Sequence, residues 1–114
     1  MSASGRHSEE IARLRAWPRT PFATLPTELR ATPRLAARCG VSHAYAKMDA
    51  ETGYALGGNK VRKLEFELAA DRIAGVTRLI TAGGPQSNHC RVTAAAAARL
   101  GLGCTLVLNG PEPE

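Results

Sequence analysis

The sequence predicts an α/β fold, and its second half carries the signal as one parallel β-α-β unit. Two short apolar runs, Thr77–Ala82 and Cys104–Leu108, have the length and composition of buried strands. Between them, a glycine turn leads into a predicted helix over Asn88–Leu100, and Gly101 stands where a helix commonly ends. Strands joined through a helix in this way are parallel, and their crossover is right-handed.

The first 33 residues are less regular than the rest of the chain. Residues 1–17 are predicted to be a polar tail running into a short helix, because Ile11, Leu14 and Trp17 recur every three residues. Four prolines between residues 18 and 33 fix the backbone and favour an extended path over a surface.

The middle of the chain predicts three further elements. A short helix is expected over Pro33–Cys39, and the alternating run His43–Met48 predicts a strand that ends in the turn residues 49–53. A longer helix is predicted over Lys60–Ala74, because apolar residues recur there at helical spacing and Gly75 follows as a stop signal.

The predicted sheet is unfinished within these 114 residues. The apolar share is 44%, but much of it is alanine and aromatic residues make up only 4%, so the core that the chain can build alone is thin. A parallel strand pair also needs cover on both faces. We therefore expect the chain to be an N-terminal fragment of a longer protein.

Composition argues against several functional classes. No stretch approaches the roughly 20 apolar residues that span a bilayer, and the polar start lacks a signal peptide, so we expect a cytoplasmic protein without a membrane partner. Cys39, Cys90 and Cys104 form no CxxC pair, so we expect reduced thiols and no metal site. The net charge of +5 comes from scattered arginines, which favours no nucleic-acid partner. A small basic binding module is the alternative that this charge leaves open.

The first candidate site is the turn GGNKVRK, which places Lys60, Arg62 and Lys63 in the opening turn of a helix. Cations are disfavoured there by the helix dipole unless an anion such as phosphate is bound. Neighbouring positive charge also favours the neutral amine that Schiff-base chemistry needs, which makes Lys60 a candidate nucleophile. The alternative is a solvated basic turn.

The second candidate site is the turn GGPQSNH, which joins a predicted strand to a helix. Ser87 or Asn88 is expected to cap the helix, and Gln86 and His89 add donors and acceptors suited to a small polar ligand. The turn lacks the spacing of a nucleotide-binding glycine motif. His89 on its own is also consistent with an ordinary surface histidine.

Together, GGNKVRKLEFELA and TAGGPQSNHCRVTAAAAARLGLGCTLVL resemble the D-cysteine desulfhydrase and 1-aminocyclopropane-1-carboxylate deaminase family. The resemblance implies a pyridoxal 5'-phosphate enzyme of the tryptophan synthase β-like fold, a three-layer α/β architecture known as fold type II. It implies that 18–59 belong to the large domain, and that 60–114 carry the lysine helix and the truncated start of the small domain. A homodimeric parent enzyme is expected.

Residue by residue, the resemblance implies that Lys60 forms the Schiff base with the cofactor, flanked by Asn59 as a cofactor contact. Lys63 would lie near the phosphate, and Asn88 would hydrogen-bond the 3′ oxygen of the cofactor ring. Ser87, Asn88 and His89 would receive the carboxylate of a small amino-acid substrate, with Ser87 also placed among the catalytic residues. The phosphate loop and the partner of the pyridine nitrogen are expected in the remainder of the parent chain.

The resemblance leaves two reactions open. The first is α,β-elimination from D-cysteine to pyruvate, hydrogen sulfide and ammonia, and the second is ring opening of 1-aminocyclopropane-1-carboxylate to 2-oxobutanoate and ammonia. His89 favours the desulfhydrase, since the deaminases of this family more often carry glutamine there. The fragment alone is expected to be inactive.

Overall fold

The computed structural model describes residues 3–111, so the first two residues of the predicted N-terminal tail and the last three of the predicted 60–114 unit lie outside the described part. The elements in chain order are α1 (Ala3–Ala16), β1 (Leu29–Ala31), α2 (Pro33–Cys39), β2 (Tyr45–Lys47), α3 (Lys60–Glu67), β3 (Arg78–Gly83), α4 (Asn88–Arg99) and β4 (Gly103–Leu108). A short 3₁₀ helix, Asp49–Thr52, follows β2.

The β3-α4-β4 unit is the predicted parallel β-α-β unit. Strands β3 and β4 pair in parallel from Arg78 opposite Gly103 to Gly83 opposite Leu108. The amide of Gly103 also donates to the carbonyl of Thr77, and the amide of Asn109 donates to the carbonyl of Gly83, which extends the ladder at both ends. The predicted α/β fold class is confirmed.

The core lies where α3 and α4 meet the inner face of β3. It is formed by Phe22, Val61, Leu64, Leu68, Val92 and Ala96. The alanine run of α4 permits this close packing, because Ala96 and Ala97 are fully buried without a bulky side chain to hold the helices apart. The aromatic ring of Phe22 stacks on Tyr54 at 5.0 Å, so the proline-rich segment contributes to the core.

The opposite face of the sheet is open within residues 3–111. Ile80 is 70% exposed and Val107 is 54% exposed, as expected for a sheet that is unfinished within these residues. Paired residues of a parallel sheet point to the same side, and Ile80, Ala82 and Val107 lie on the side away from α4. The cover that the predicted buried strands need on this face is therefore not supplied by residues 3–111.

Strands β1 and β2 form a separate two-stranded antiparallel sheet. Leu29 pairs with Lys47 and Ala31 pairs with Tyr45. Helix α2, which was predicted over the same residues, connects the two strands. Strand β1 was not predicted, because its three residues lie in the proline-rich segment, for which an extended path over a surface was expected and no strand pairing. Strand β2 lies within the predicted run His43–Met48.

Helix α3 is shorter than predicted and ends at Glu67 instead of Ala74. Thr20 explains the early end, because its amide donates to the carbonyl of Glu65 at 2.8 Å and its hydroxyl donates to the carbonyl of Leu68 at 2.7 Å. In a continuing helix these carbonyls would accept from Ala69 and Arg72. Both amides instead form tighter turn contacts, so the chain leaves the helix and descends to β3.

The remaining features concern the surface. No helix within residues 3–111 is both long enough and apolar enough to cross a membrane. The three cysteines are free thiols, with Cys39 exposed and Cys90 buried in the first turn of α4. From His7 to Ala16, α1 is exposed along its length, and Trp17 contacts the ring of Phe66 edge-on at 6.3 Å.

Candidate functional site

Lys60 is the first residue of α3, as the sequence predicts. Asn59 occupies the N-cap position, but its side chain makes no capping hydrogen bond. The first turn contains no acidic residue and carries Lys60, Arg62 and Lys63. The positive end of the helix dipole is therefore reinforced by side-chain charge, which creates a local preference for an anion.

Two of these three cations are held by carboxylates. Arg62 donates to Asp49 Oδ1 from Nε at 3.0 Å and from Nη2 at 2.7 Å, and Nη2 also donates to Thr27 Oγ1 at 2.9 Å. The hydrogen bond from Arg62 holds the pKa of the Asp49 carboxyl below its ordinary value. Lys63 Nζ lies 3.6 Å from Glu67 Oε1 in an exposed ion pair one turn along the helix.

Lys60 differs from its two neighbours. Its side chain is half-buried and forms no hydrogen bond or ion pair with another residue in the described range 3–111. An amine that is sheltered from water and not engaged by a carboxylate is free to react with an aldehyde. The geometry thus distinguishes Lys60 as the available lysine of this turn.

The loop before Lys60 has an unusual backbone. Four consecutive residues have positive φ: Ala55 (47°), Leu56 (66°), Gly57 (74°) and Gly58 (109°). The loop is fixed by two amide donors, Gly57 to the carbonyl of Tyr54 and Gly58 to the carbonyl of Asp49, each at 2.8 Å. Since left-handed conformations are costly for alanine and leucine, this loop is held by its surroundings.

Gly57→Ala is expected to displace this loop. A Cβ at position 57 would lie 2.0 Å from the carbonyl oxygen of Ala50, and the left-handed backbone adds about 1–2 kcal/mol of strain. We expect a lower melting temperature and weaker cofactor binding in the same protein. Gly58→Ala is the matched control, because φ is also positive there but nothing lies within 4 Å of the added carbon. Equal effects of the two substitutions would contradict the steric explanation.

The second turn is built around Ser87, which is the N-cap residue of α4. Ser87 Oγ accepts a hydrogen bond from the amide of Cys90 at 3.3 Å, as predicted for a helix cap. Gly83 is required beside it, because a Cβ there would lie 2.7 Å from Ser87 Oγ and 2.8 Å from Cys90 Sγ. The end of β3 therefore packs directly against the cap.

Asn88 and Arg91 connect the two turns. Arg91 Nη2 donates to Asn88 Oδ1 at 3.0 Å and to the carbonyl of Gly57 at 3.4 Å. This bridge joins the helix that begins at Asn88 to the loop that precedes Lys60. The two predicted turns are therefore adjacent in the fold.

His89 also faces the lysine turn. Its Nδ1 is buried and has no hydrogen-bond partner within the described residues. Partial burial lowers the pKa of His89, the positive charges of Lys63 and Lys60 lower it further, and Glu67 acts in the opposite direction. A lowered pKa keeps the imidazole neutral at pH 7, so it can accept or donate a hydrogen bond.

We expect NMR titration to give His89 a pKa below 6.5 in the folded protein. Lys63→Gln should raise that pKa, whereas Glu67→Gln should lower it, because the two side chains act on His89 with opposite sign. The folded state binds fewer protons here than the unfolded state, so its stability falls as the pH drops below about 6.5. Shifts in the same direction for both variants would contradict this assignment.

Glu65 lies in the helix that begins at Lys60, and the sequence analysis did not single it out. It is 2% exposed, and its Oε1 accepts from the amides of Phe22 and Ala23, each at 2.8 Å. Its Oε2 lies 3.7 Å from Arg19 Nη1. The sequence did contain a signal for this residue. Glu65 stands one turn after Val61 on the apolar side of the predicted helix, where a carboxylate needs hydrogen-bond partners. Glu65 fixes the proline-rich segment against the helix that presents Lys60.

Arg62 and Arg91 were not singled out as site residues either. The spacing between Asn88 and Arg91 places both side chains on one face of a helix, so the sequence contained a signal for that contact. The contacts of Arg62 with Asp49 and Thr27 join residues from distant segments, which no local pattern reveals. In the described part of the chain, no group of three His, Cys, Asp or Glu side chains could hold a metal ion.

Comparison with known proteins identifies relatives for most of the chain. Residues 21–114 match the family described as "Pyridoxal-phosphate dependent enzyme". The D-cysteine desulfhydrase of Salmonella typhimurium is 49% identical over 98 residues, covering 86% of this chain and 30% of that protein. The D-cysteine desulfhydrase of Klebsiella pneumoniae is 48% identical over 102 residues, covering 89% of this chain and 30% of that protein.

A solved structure described as an ACC deaminase homologue matches with a TM-score of 0.80 and 39% sequence identity. It covers 90% of this chain, which spans 31% of the solved chain. The chain thus spans about 30% of the length of the relatives that it matches. The family resemblance carried by the two glycine turns is confirmed, and the chain belongs to the pyridoxal-phosphate dependent enzyme family.

Proposed function

We propose that this chain supplies the lysine and substrate-binding turns of a pyridoxal-phosphate lyase of the D-cysteine desulfhydrase type. The observation that carries the proposal is the availability of Lys60, which stands unpaired beside two cations that carboxylates engage. The identity of 48–49% to D-cysteine desulfhydrases over most of the chain supports the same activity for the full-length protein.

The residues present fit the cofactor by the chemistry of their donors. Lys60 offers a free amine for covalent attachment. Asn88 offers an amide close to the loop that precedes Lys60, because Arg91 contacts both Asn88 and the carbonyl of Gly57 in that loop. The cationic first turn of α3, which includes Lys63, is suited to a phosphate. Asn59 is left without a capping role and is proposed as a further cofactor contact.

Bound pyridoxal phosphate withdraws electrons from the carbon atoms next to the amino group of an amino acid. Lys60 Nζ is then the proposed base that takes the α-proton, since its amine is unpaired, whereas that of Lys63 is paired with Glu67. In the proposed reaction the Cβ–S bond of D-cysteine breaks and its electron pair leaves with sulfur as hydrosulfide. Water replaces the nitrogen, which gives pyruvate and ammonia.

The start of α4 is the proposed site for the substrate carboxylate. Ser87 Oγ accepts from the amide of Cys90, so the hydroxyl hydrogen of Ser87 is free to be donated to a carboxylate oxygen. Asn88 and the neutral imidazole of His89 offer further donors at the same helix end. Negative charge is favoured at this position by the helix dipole.

The second candidate is 1-aminocyclopropane-1-carboxylate deamination, which the similarity to the ACC deaminase homologue favours. In that reaction the Ser87 hydroxyl is the proposed group beside the cyclopropane ring. The basic binding module has less support, since Asp49 engages Arg62 while Glu28 and Glu51 engage Arg30. These cations are therefore already paired within the fold.

The deciding experiment is an assay of the full-length protein on both substrates. We expect release of pyruvate and sulfide from D-cysteine, at a rate that exceeds the release of 2-oxobutanoate from the cyclopropane substrate. Activity on the cyclopropane substrate alone would select the second candidate. Activity on neither substrate, with cofactor bound, would overturn both.

Four broader expectations accompany this proposal. We propose a cytoplasmic location and a homodimeric full-length enzyme, and both are measured on the whole protein by fractionation and by light scattering. We also propose that 18–59 belong to a large domain and that 60–114 begin a small domain. The 114 residues alone should show no steady turnover, because the resemblance places the phosphate loop elsewhere in the parent enzyme.

A further inference from the structure

Arg91 occupies the contact between the two glycine turns. Its Nη2 donates both to Asn88 Oδ1 at 3.0 Å and to the carbonyl oxygen of Gly57 at 3.4 Å. Gly57 lies three residues before Lys60, within the loop of positive φ values, and Asn88 is the first residue of α4. One guanidinium nitrogen therefore contacts both halves of the proposed site.

The chemistry of this contact fixes the orientation of the Asn88 amide. A guanidinium group only donates hydrogen bonds, so the amide atom that faces Arg91 must be the oxygen. The Asn88 amide nitrogen is then directed away from Arg91, and its two hydrogens remain available to a ligand oxygen. If Arg91 were absent, the amide could rotate and present either atom.

Fold stability alone does not explain the placement of Arg91. Its Nη1 is buried and has no hydrogen-bond partner within residues 3–111. An unsatisfied N–H of a charged group is unfavourable, so a purely structural residue at this position would be better served by an apolar side chain. The bridging contacts of Nη2 offer a reason for the arginine.

We propose that Arg91 is a positioning residue, which orients the Asn88 amide as a donor to the cofactor and ties the Lys60 loop to α4. This inference rests on the proposed function, because the ligand oxygen that Asn88 would meet belongs to pyridoxal phosphate. Arg91 itself contacts neither cofactor nor substrate in this arrangement and acts through Asn88 and Gly57.

The test is a double-mutant cycle on the full-length protein with Arg91→Gln and Asn88→Ala, read by the dissociation constant and the absorbance spectrum of pyridoxal phosphate. Arg91→Gln should weaken cofactor binding by about tenfold and shift the absorbance maximum, as expected when one oriented hydrogen bond is lost. In the Asn88→Ala background, Arg91→Gln should add little. Arg78→Gln is the charge-matched control, because Arg78 is exposed and contacts Thr105 on the far side of the sheet.

A second readout needs no cofactor. In the apoprotein, Arg91→Gln should increase hydrogen exchange across residues 57–63, whereas Arg78→Gln should not. Unchanged cofactor binding in Arg91→Gln, or effects that multiply fully with those of Asn88→Ala, would overturn the role of Arg91 while leaving the proposed function intact. A wild-type protein that does not bind pyridoxal phosphate would overturn the proposed function instead.

Discussion

Lys60→Ala in the full-length protein is expected to abolish the cofactor that borohydride fixes to the chain, and turnover with it. The physical reason is that Lys60 is proposed both as the amine for covalent attachment and as the base for the α-proton. Loss of a positioned base alone lowers rates by about 10²–10⁴-fold, and loss of attachment adds to that effect. Mass spectrometry after borohydride treatment and a 2-oxo acid assay measure the two losses separately.

Lys63→Ala is the matched control for this experiment. Lys63 lies three residues after Lys60 in the same helix, but its amine is paired with Glu67 at 3.6 Å. We expect Lys63→Ala to retain the borohydride-fixed cofactor with reduced affinity, because only a nearby positive charge is lost. The assignment of the reactive lysine would be contradicted if Lys60→Ala still carried borohydride-fixed cofactor. It would also be contradicted if Lys63→Ala carried none while Lys60→Ala retained it.

Glu65→Ala is expected to cause the largest loss of stability among single changes near the site. Removing the carboxylate leaves the amides of Phe22 and Ala23 without their shared acceptor, and each unsatisfied buried group costs about 1–3 kcal/mol. The free energy of unfolding should therefore fall by about 2–6 kcal/mol. Urea unfolding of the full-length protein measures the difference.

Two further variants separate the cause of that loss. Glu65→Gln keeps one side-chain oxygen as an acceptor and should lose less than Glu65→Ala. Glu67→Ala, two residues along the same helix but exposed, should change stability by no more than about 0.5 kcal/mol. Equal losses for Glu65→Ala and Glu67→Ala would show that the buried hydrogen bonds of Glu65 contribute nothing.

The sequence predicts the elements whose signals are local. The β3-α4-β4 unit follows from two apolar runs, a glycine turn and a capping serine, all within about thirty residues of one another. The start of α3 at Lys60 is confirmed, and of the two predicted caps of α4, Ser87 or Asn88, the structure has Ser87. Both signals depend on adjacent residues. The two candidate turns could be located in the sequence because they lie at such boundaries.

Features that depend on distant residues were not predicted. Thr20 ends α3 by donating hydrogen bonds to carbonyls of that helix end, although it lies 45 or more residues earlier in the chain. Helical periodicity does not reveal such a contact. Strand β1 exists because β2 pairs with it, although its own three residues carry a weak signal. The Arg91 bridge likewise requires the loop at Gly57 to be folded back onto α4.

The contact between Glu65 and the proline-rich segment has a consequence for how this polypeptide can be divided. By composition, residues 18–26 look like a linker that a protease or a cloning boundary could remove. The amides of Phe22 and Ala23 nevertheless depend on a carboxylate of α3, and Thr20 caps the same helix end. A cut between residues 59 and 60 would therefore leave the Glu65 carboxylate on one piece and the amides of Phe22 and Ala23 on the other, each without its hydrogen-bond partner if the pieces separate. A shortened protein should therefore keep all residues from Arg19 onward. Limited proteolysis should cleave first in the exposed α1.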